Sequence, residues 1–246
     1  MLLSDRSWLL GFALETAGFA LYVTALALAP LSLVQSVAAG GIGILAFVSA
    51  RMSGRHLGRT ELAGVFISML GLLALAISLA AGTGEGSGGE TGEIVLWLGA
   101  TAAAAVVALV VGSRFEARGV AYGIAGGLFF SIGDISVKVA TQGGARTAFA
   151  VGVVVGYALG TAFLQLGYQK REALTVAGIA TLLTNALPIA AGSVVLGEPV
   201  PSGLLGAMRI LAFAAVTVGA VLLARPDRSQ ADDAVDRVAA PAVAEQ

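Results

Sequence analysis

Four ionisable side chains fall inside long apolar stretches of this sequence: Glu15, Asp134, Lys138 and Arg209. A charge at the bilayer centre costs roughly 2.5–3.5 kcal/mol on insertion scales, so each of them needs a reason to be there. Asp134 and Lys138 are four residues apart and share a helix face, and Arg209 is expected at a similar depth, which predicts one three-member charged cluster. Such a cluster offers a carboxylate that accepts a cation or a proton, and cations that hold an anionic group. The bland alternative is an ion pair that neutralises Asp134 while Lys138 reaches toward the outer headgroups along its apolar stem. Glu15, nearer the opposite end of its stretch, reads as a gate, a second coupling site, or a carboxylate snorkelling to the surface.

Backbone punctuation adds a second set of candidates. Asn185-x-x-Pro188 sits mid-stretch, where proline removes a helix hydrogen bond and frees a carbonyl. Gly40-Gly41-Ile42-Gly43 occupies the corresponding place in an earlier stretch. Interruptions paired in this way are the best sequence pointer to a midplane binding site, with tight packing as the alternative for the glycines. Gly152-x-x-x-Gly156-x-x-x-Gly160 is a small-residue ridge for close helix approach, within a bundle or between two protomers. Tyr22, Tyr157, Tyr168, Gln35, Gln165 and Gln169 have cavity-lining chemistry, although tyrosines near helix ends more often mark the membrane interface.

The elements that must position these residues follow from composition. The 246 residues are 57% hydrophobic and 12% charged, about half the charge of an ordinary soluble domain. Apolar stretches of about 20 residues, the length that crosses a hydrocarbon core as a helix, recur eight times. They run approximately over 8–29, 31–50, 61–81, 94–112, 120–141, 147–169, 174–196 and 202–224, segments A to H. The alternation of a β-barrel is missing, so the expected fold is an all-α polytopic membrane protein with about eight transmembrane helices. There is no cysteine, and the single histidine, His56, sits among arginines, so no metal centre or cofactor is expected and no catalytic residue is assigned. The glycine-rich stretch 82–92 lacks the Lys-Ser/Thr of a phosphate loop, and no Ser/His/Asp set assembles around His56, which ranks enzyme readings low. Segment A is too long for a signal-peptide core and is expected to persist in the mature protein.

Positive charge sets orientation. Loops on one side hold ten Lys and Arg residues, against Arg146 alone on the other, which places both termini in the cytoplasm and the chain in the cell's inner membrane. Residues 1–81 then form a partial first repeat, 82–93 an extracytoplasmic, flexible, acidic glycine-rich linker, 94–225 a five-helix second repeat, and 226–246 a disordered cytoplasmic tail. Ala29-Pro-Leu-Ser-Leu-Val34 resembles Glu172-Ala-Leu-Thr-Val-Ala177, a displacement of five segments. Because five is odd, the copies cross the membrane in opposite senses, as in the inverted-repeat bundles of secondary transporters.

Trp8-x-x-Gly11, Gly18-Phe19, Ala27-Leu-Ala-Pro-Leu-Ser-Leu-Val-Gln35 and the late Leu196-Gly-Glu-Pro199 turn together resemble the drug/metabolite transporter superfamily, of the EamA-like and NIPA-like type. That resemblance implies ten helices in two inverted five-helix repeats with cytoplasmic termini, so that one or two N-terminal helices of the pattern lie outside this chain. It also implies transport of a small polar solute or metabolite; two inverted halves make alternating access the expected mechanism, and the available carboxylates leave proton or ion coupling open. Its NIPA-like branch implies magnesium transport. Magnesium prefers carboxylates, and with two cations expected beside Asp134 an organic solute is favoured at this stage. A membrane scaffold or subunit using the Gly152–Gly160 ridge is the reading from another class. The expected partners are the bilayer, a small-molecule substrate and a second protomer, with no nucleic acid.

Overall fold

A computed structural model describes residues 6–52, 58–80, 86, 88–115, 118–169, 173–199 and 202–223. Within them eight α-helices follow in order: α1 (Arg6–Leu28), α2 (Leu31–Met52), α3 (Arg59–Ala80), α4 (Thr91–Arg114), α5 (Arg118–Ala140), α6 (Ala150–Tyr168), α7 (Ala173–Val194) and α8 (Gly203–Leu223). A 3₁₀ turn, Gly144–Phe149, leads into α6. The shortest has 19 residues and the longest 24, about 28–36 Å at the α-helical rise, which matches a hydrocarbon core. Five are long and apolar enough to cross a membrane on their described residues alone. The chain is an all-α polytopic membrane protein, and its helices coincide with segments A to H to within a few residues.

Short turns make successive helices antiparallel. Arg51, Arg59, Arg114 and Arg118 therefore collect at one end of the bundle, the basic end, and Arg146 and the linker lie at the opposite, linker end. α5 is the hub: 78% of its apolar window is buried, against 6% for α1, 17% for α4 and 11% for α6, whose outer faces are left for lipid. α5 packs on α4, α6 and α7 and touches α1, while α3 packs on α8 and α2 bridges α3, α7 and α8.

Lipid is as apolar as leucine, so helices in it associate through close packing, and small residues permit that. A Cβ on Gly123 or Gly127 of α5 would come within 3.0 Å of the Val176 carbonyl or 2.8 Å of the Ala180 carbonyl of α7. The ridge on α6 serves the same end: a Cβ on Gly156 would come within 2.5 Å of Gly133 N and one on Gly160 within 2.9 Å of the Phe130 ring, while one on Gly152 would strike the Ser136 hydroxyl. Its partner is α5 of the same chain. Gly71 and Gly219 make the equivalent seam between α3 and α8.

Two expectations are corrected. α2 runs unbroken through Gly40, Gly41 and Gly43, with Gly40 packed on Leu72 of α3 and Gly41 clear of neighbours within 4 Å. Glycine keeps its N–H and lowers helix propensity by only about 1 kcal/mol, so these residues thin the helix without interrupting it. The described part of the linker is docked rather than loose. Gly88 N donates to Leu196 O at 3.2 Å, and Arg146 donates to the Gly88 and Gly89 carbonyls, each at 2.6 Å. Positive φ angles of 80° and 69° at Gly88 and Gly89 allow the bend that presents those carbonyls. His56, Lys170, Arg171, residues 82–85 and the tail 226–246 lie outside the described residues.

Candidate functional site

α5 carries Asp134 to a depth of about six residues from its linker end, where it is 3% exposed. Its Oδ1 accepts the Tyr22 hydroxyl of α1 at 2.8 Å and the Tyr157 hydroxyl of α6 at 2.6 Å. Tyr22 in turn accepts Gln35 Nε2 of α2 at 2.7 Å. Four helices are thus joined through one carboxylate oxygen. Oδ2 is buried and has no hydrogen-bond partner among the described residues, a state that costs about 1–3 kcal/mol for a polar group and more for a charged one. Phe19 and Phe130 complete the surroundings, with ring centroids 5.6 and 6.1 Å from that of Tyr157.

Asp134 heads a cavity of about 420 Å³. Its walls descend along α6 and α7 through Leu164, Thr184, Thr181 and Ala177 to Tyr168, the last residue of α6, so the cavity runs toward the basic end. Asn185, 8% exposed, lines it and donates Nδ2 to Thr181 O at 2.7 Å. Pro188 is buried inside an unbroken α7 and has no N–H to give the carbonyl of Thr184, which also lines the cavity. The cavity lining contains Asp134 and no Lys, Arg or His.

The expected three-member cluster does not assemble. Lys138 Nζ donates to the Leu26 and Ala29 carbonyls at 2.8 and 2.7 Å, at the C-terminal end of α1. Arg209 donates to Ser78 Oγ and Ser78 O, each at 3.3 Å, near the C-terminal end of α3. Both cations answer the negative end of a helix dipole and its unpaired carbonyls. A shared depth therefore reflects two helices ending at the same level. Glu15 is exposed on α1, two turns toward the basic end from Tyr22 and outside the cavity lining.

Tyr22, Gln35 and Tyr157 are the residues that a reading of single helices undervalues, since phenols near helix ends usually mark the interface. Thr181 and Thr184 left a fainter signal, one turn before Asn185 and Pro188 respectively. Tyr157→Phe leaves Oδ1 with one phenol, and hydrogen bonds to charged groups are worth about 1.5–3 kcal/mol. A thermal-unfolding cycle of Tyr157→Phe, Asp134→Ala and the double variant is expected to give a coupling of about 1 kcal/mol or more. Additive losses would disconnect the pair.

Fold and site together define a polytopic membrane protein with a buried acidic site at the head of an intramembrane cavity. Compared with known proteins, the chain is 26% identical over 254 aligned positions to "Probable magnesium transporter NIPA9" of Arabidopsis thaliana, covering 91% of this chain and 71% of that protein. No family model and no solved structure matches it.

Proposed function

We propose that this protein is a membrane transporter whose substrate is a small cation, with hydrated magnesium as the leading candidate. One observation carries the cationic reading: the cavity ends on a buried carboxylate with a spare oxygen, and no basic residue lines it. The sequence argument for an anionic or zwitterionic organic solute relied on Lys138 and Arg209 standing beside Asp134, and both are engaged at helix ends. Magnesium sheds its water reluctantly and is commonly held by one or two carboxylates through a partial water shell. A cavity with one carboxylate, phenol and threonine hydroxyls and an asparagine fits such a hydrated ion. The name of the Arabidopsis relative supports the same substrate.

The ten-to-one asymmetry of Lys and Arg in the loops makes the basic end cytoplasmic, so the cavity is the inward-facing form of an alternating-access cycle. Pairing of α2 with α7 and of α3 with α8 supports the inverted repeat, because a two-fold relating segments A–C to F–H sets those helices side by side. Glu15 is the entrance carboxylate in this reading, with Asp134 as the binding group and Asn185 on the wall. Proton or ion coupling through Asp134 belongs to the same proposal.

The aromatic surround of Asp134 favours a second substrate class, a small organic ammonium ion, which would gain cation–π attraction from Phe19, Phe130 and the two tyrosines. Thermal unfolding of the purified protein separates the two. A ligand at a hundred times its Kd stabilises by about 2.7 kcal/mol, so millimolar MgCl2 is expected to raise the midpoint and to lose that effect in Asp134→Asn. Stabilisation by choline or tetramethylammonium with none by magnesium would transfer the assignment to organic cations. Stabilisation by neither would remove the cation reading.

A further inference from the structure

The α1–α2 hairpin is fastened at the linker end from two sides. Its first helix ends in the Leu26 and Ala29 carbonyls, which accept Lys138 Nζ from α5. Its second helix begins with the Leu31 and Ser32 amides, which donate to Glu198 Oε1 at 2.5 Å and Oε2 at 3.0 Å. Glu198 comes from the turn between α7 and α8, is 5% exposed, and is seated against Gly192, where any Cβ would strike its carboxylate. Each clasp opposes a helix dipole with the complementary charge, so both are favourable in a setting of low dielectric. Beneath the turn, Leu26, Leu31 and Val34 of the hairpin pack with Ile135, Ala191 and Leu196, sealing the space between Asp134 and the linker end. Outside that seal lies a second, open depression of about 680 Å³, whose floor carries Lys138 and Glu198.

We propose that the α1–α2 hairpin is the gate on the extracytoplasmic side and that Glu198 and Lys138 are the two residues that hold it shut. Reaching Asp134 from the linker end requires the hairpin to lift, and lifting it breaks four hydrogen bonds at once. The same hairpin carries Tyr22 and Gln35, so the Asp134 network ties the gate to the binding site from inside. A cation on the spare Oδ2 draws negative charge away from Oδ1, so the hydrogen bond that Tyr22 donates weakens and the inner tie loosens, after which only the two outer clasps remain. Glu198 and Lys138 are positioning residues, since neither lines the cavity that holds Asp134. This assignment rests on the transporter reading for its purpose, whereas its test needs no substrate.

The sequence contains no cysteine, so one introduced thiol reports alone. Ala38 lines the central cavity below the seal and is exposed there. In full-length Ala38→Cys protein reconstituted in liposomes, a membrane-impermeant maleimide is expected to label from the basic end at least tenfold faster than from the linker end. Adding Glu198→Gln, or separately Lys138→Gln, is expected to raise linker-end labelling at least tenfold while basic-end labelling stays within twofold. Retained basic-end labelling with a single cooperative unfolding transition identifies the variants that remain folded. The proposal is overturned if folded variants show no rise. It is equally overturned, without any change at the clasps, if the Ala38→Cys protein itself labels equally fast from both ends. Loss of magnesium flux in Asp134→Asn with unchanged gate labelling would leave the transporter reading standing while the gate assignment fails.

Discussion

Asp134→Asn protein, reconstituted in liposomes that enclose a magnesium indicator, is expected to show no flux above protein-free vesicles, a loss of at least a hundredfold. The amide keeps the size of the side chain, and its oxygen still accepts the Tyr22 and Tyr157 hydroxyls that now reach Oδ1. What it loses is the negative charge at the head of a cavity that contains no other ionisable group than the phenols. A hundredfold change corresponds to about 2.7 kcal/mol, well within the cost of removing the partner of a desolvated charge. The fold is expected to persist, with a thermal midpoint close to that of the parent, because a desolvated charge is exchanged for a neutral amide of the same size, whose nitrogen takes the place of the unpartnered Oδ2. Flux close to the parental rate in a folded Asp134→Asn protein would remove Asp134 from the pathway. A collapse of the midpoint would instead make it a structural residue.

The second large effect is expected at Gly156, where no side chain fits. A Cβ there would lie 2.5 Å from Gly133 N, 2.8 Å from Gly133 Cα and 2.8 Å from Phe129 O, all backbone atoms of the hub helix. A flexible side-chain neighbour would swing away, whereas these atoms move only if α5 and α6 separate. Overpacking of a close-packed interior costs about 1–3 kcal/mol, and Gly156→Leu is expected at or beyond the top of that range, with a fall in thermal midpoint of roughly ten degrees. Transport is expected to fall with it, because Tyr157 follows directly and loses its distance to Asp134. Gly41→Ala supplies the contrast. It sits in a helix with nothing within 4 Å of the new methyl group, and helix propensity favours alanine by about 1 kcal/mol, so stability is expected to hold or rise slightly. A Gly156→Leu protein as stable as the parent would contradict the α5–α6 packing, and a strongly destabilised Gly41→Ala would contradict the placement of α2.

Sequence reasoning reached the buried carboxylate at the head of the cavity by a sound route and its company by an unsound one. Asp134 stands out because a charge in an apolar stretch is expensive wherever the helix lies, a property of the residue and its immediate neighbours. Lys138 stands out for the same reason, and helical spacing sets both on one face. Spacing says nothing about which neighbouring helix supplies the better partner. The free carbonyls at the end of α1, over a hundred residues away in sequence, claim the ammonium group. The phenols of α1 and α6 surround the carboxylate. Similarly, Gly40, Gly41 and Gly43 and Pro188 look alike as interruptions in a sequence, yet only proline lacks the donor that a helix needs.

The sequence by itself determined the class and the number of helices, because the length of an apolar run against the thickness of a bilayer is a local comparison that tertiary contacts do not alter. It also singled out the small residues of α6 as a contact ridge, since close approach needs small side chains whoever the partner is. Only the tertiary structure decided that the partner is α5, that the cavity is acidic without a countercharge, and that Glu198 reaches the start of α2 across 167 residues of chain. Those outcomes depend on which helix ends meet at the same depth. The unpaired backbone groups at helix ends attract complementary charge, and the meeting of those ends is what places Lys138, Arg209 and Glu198.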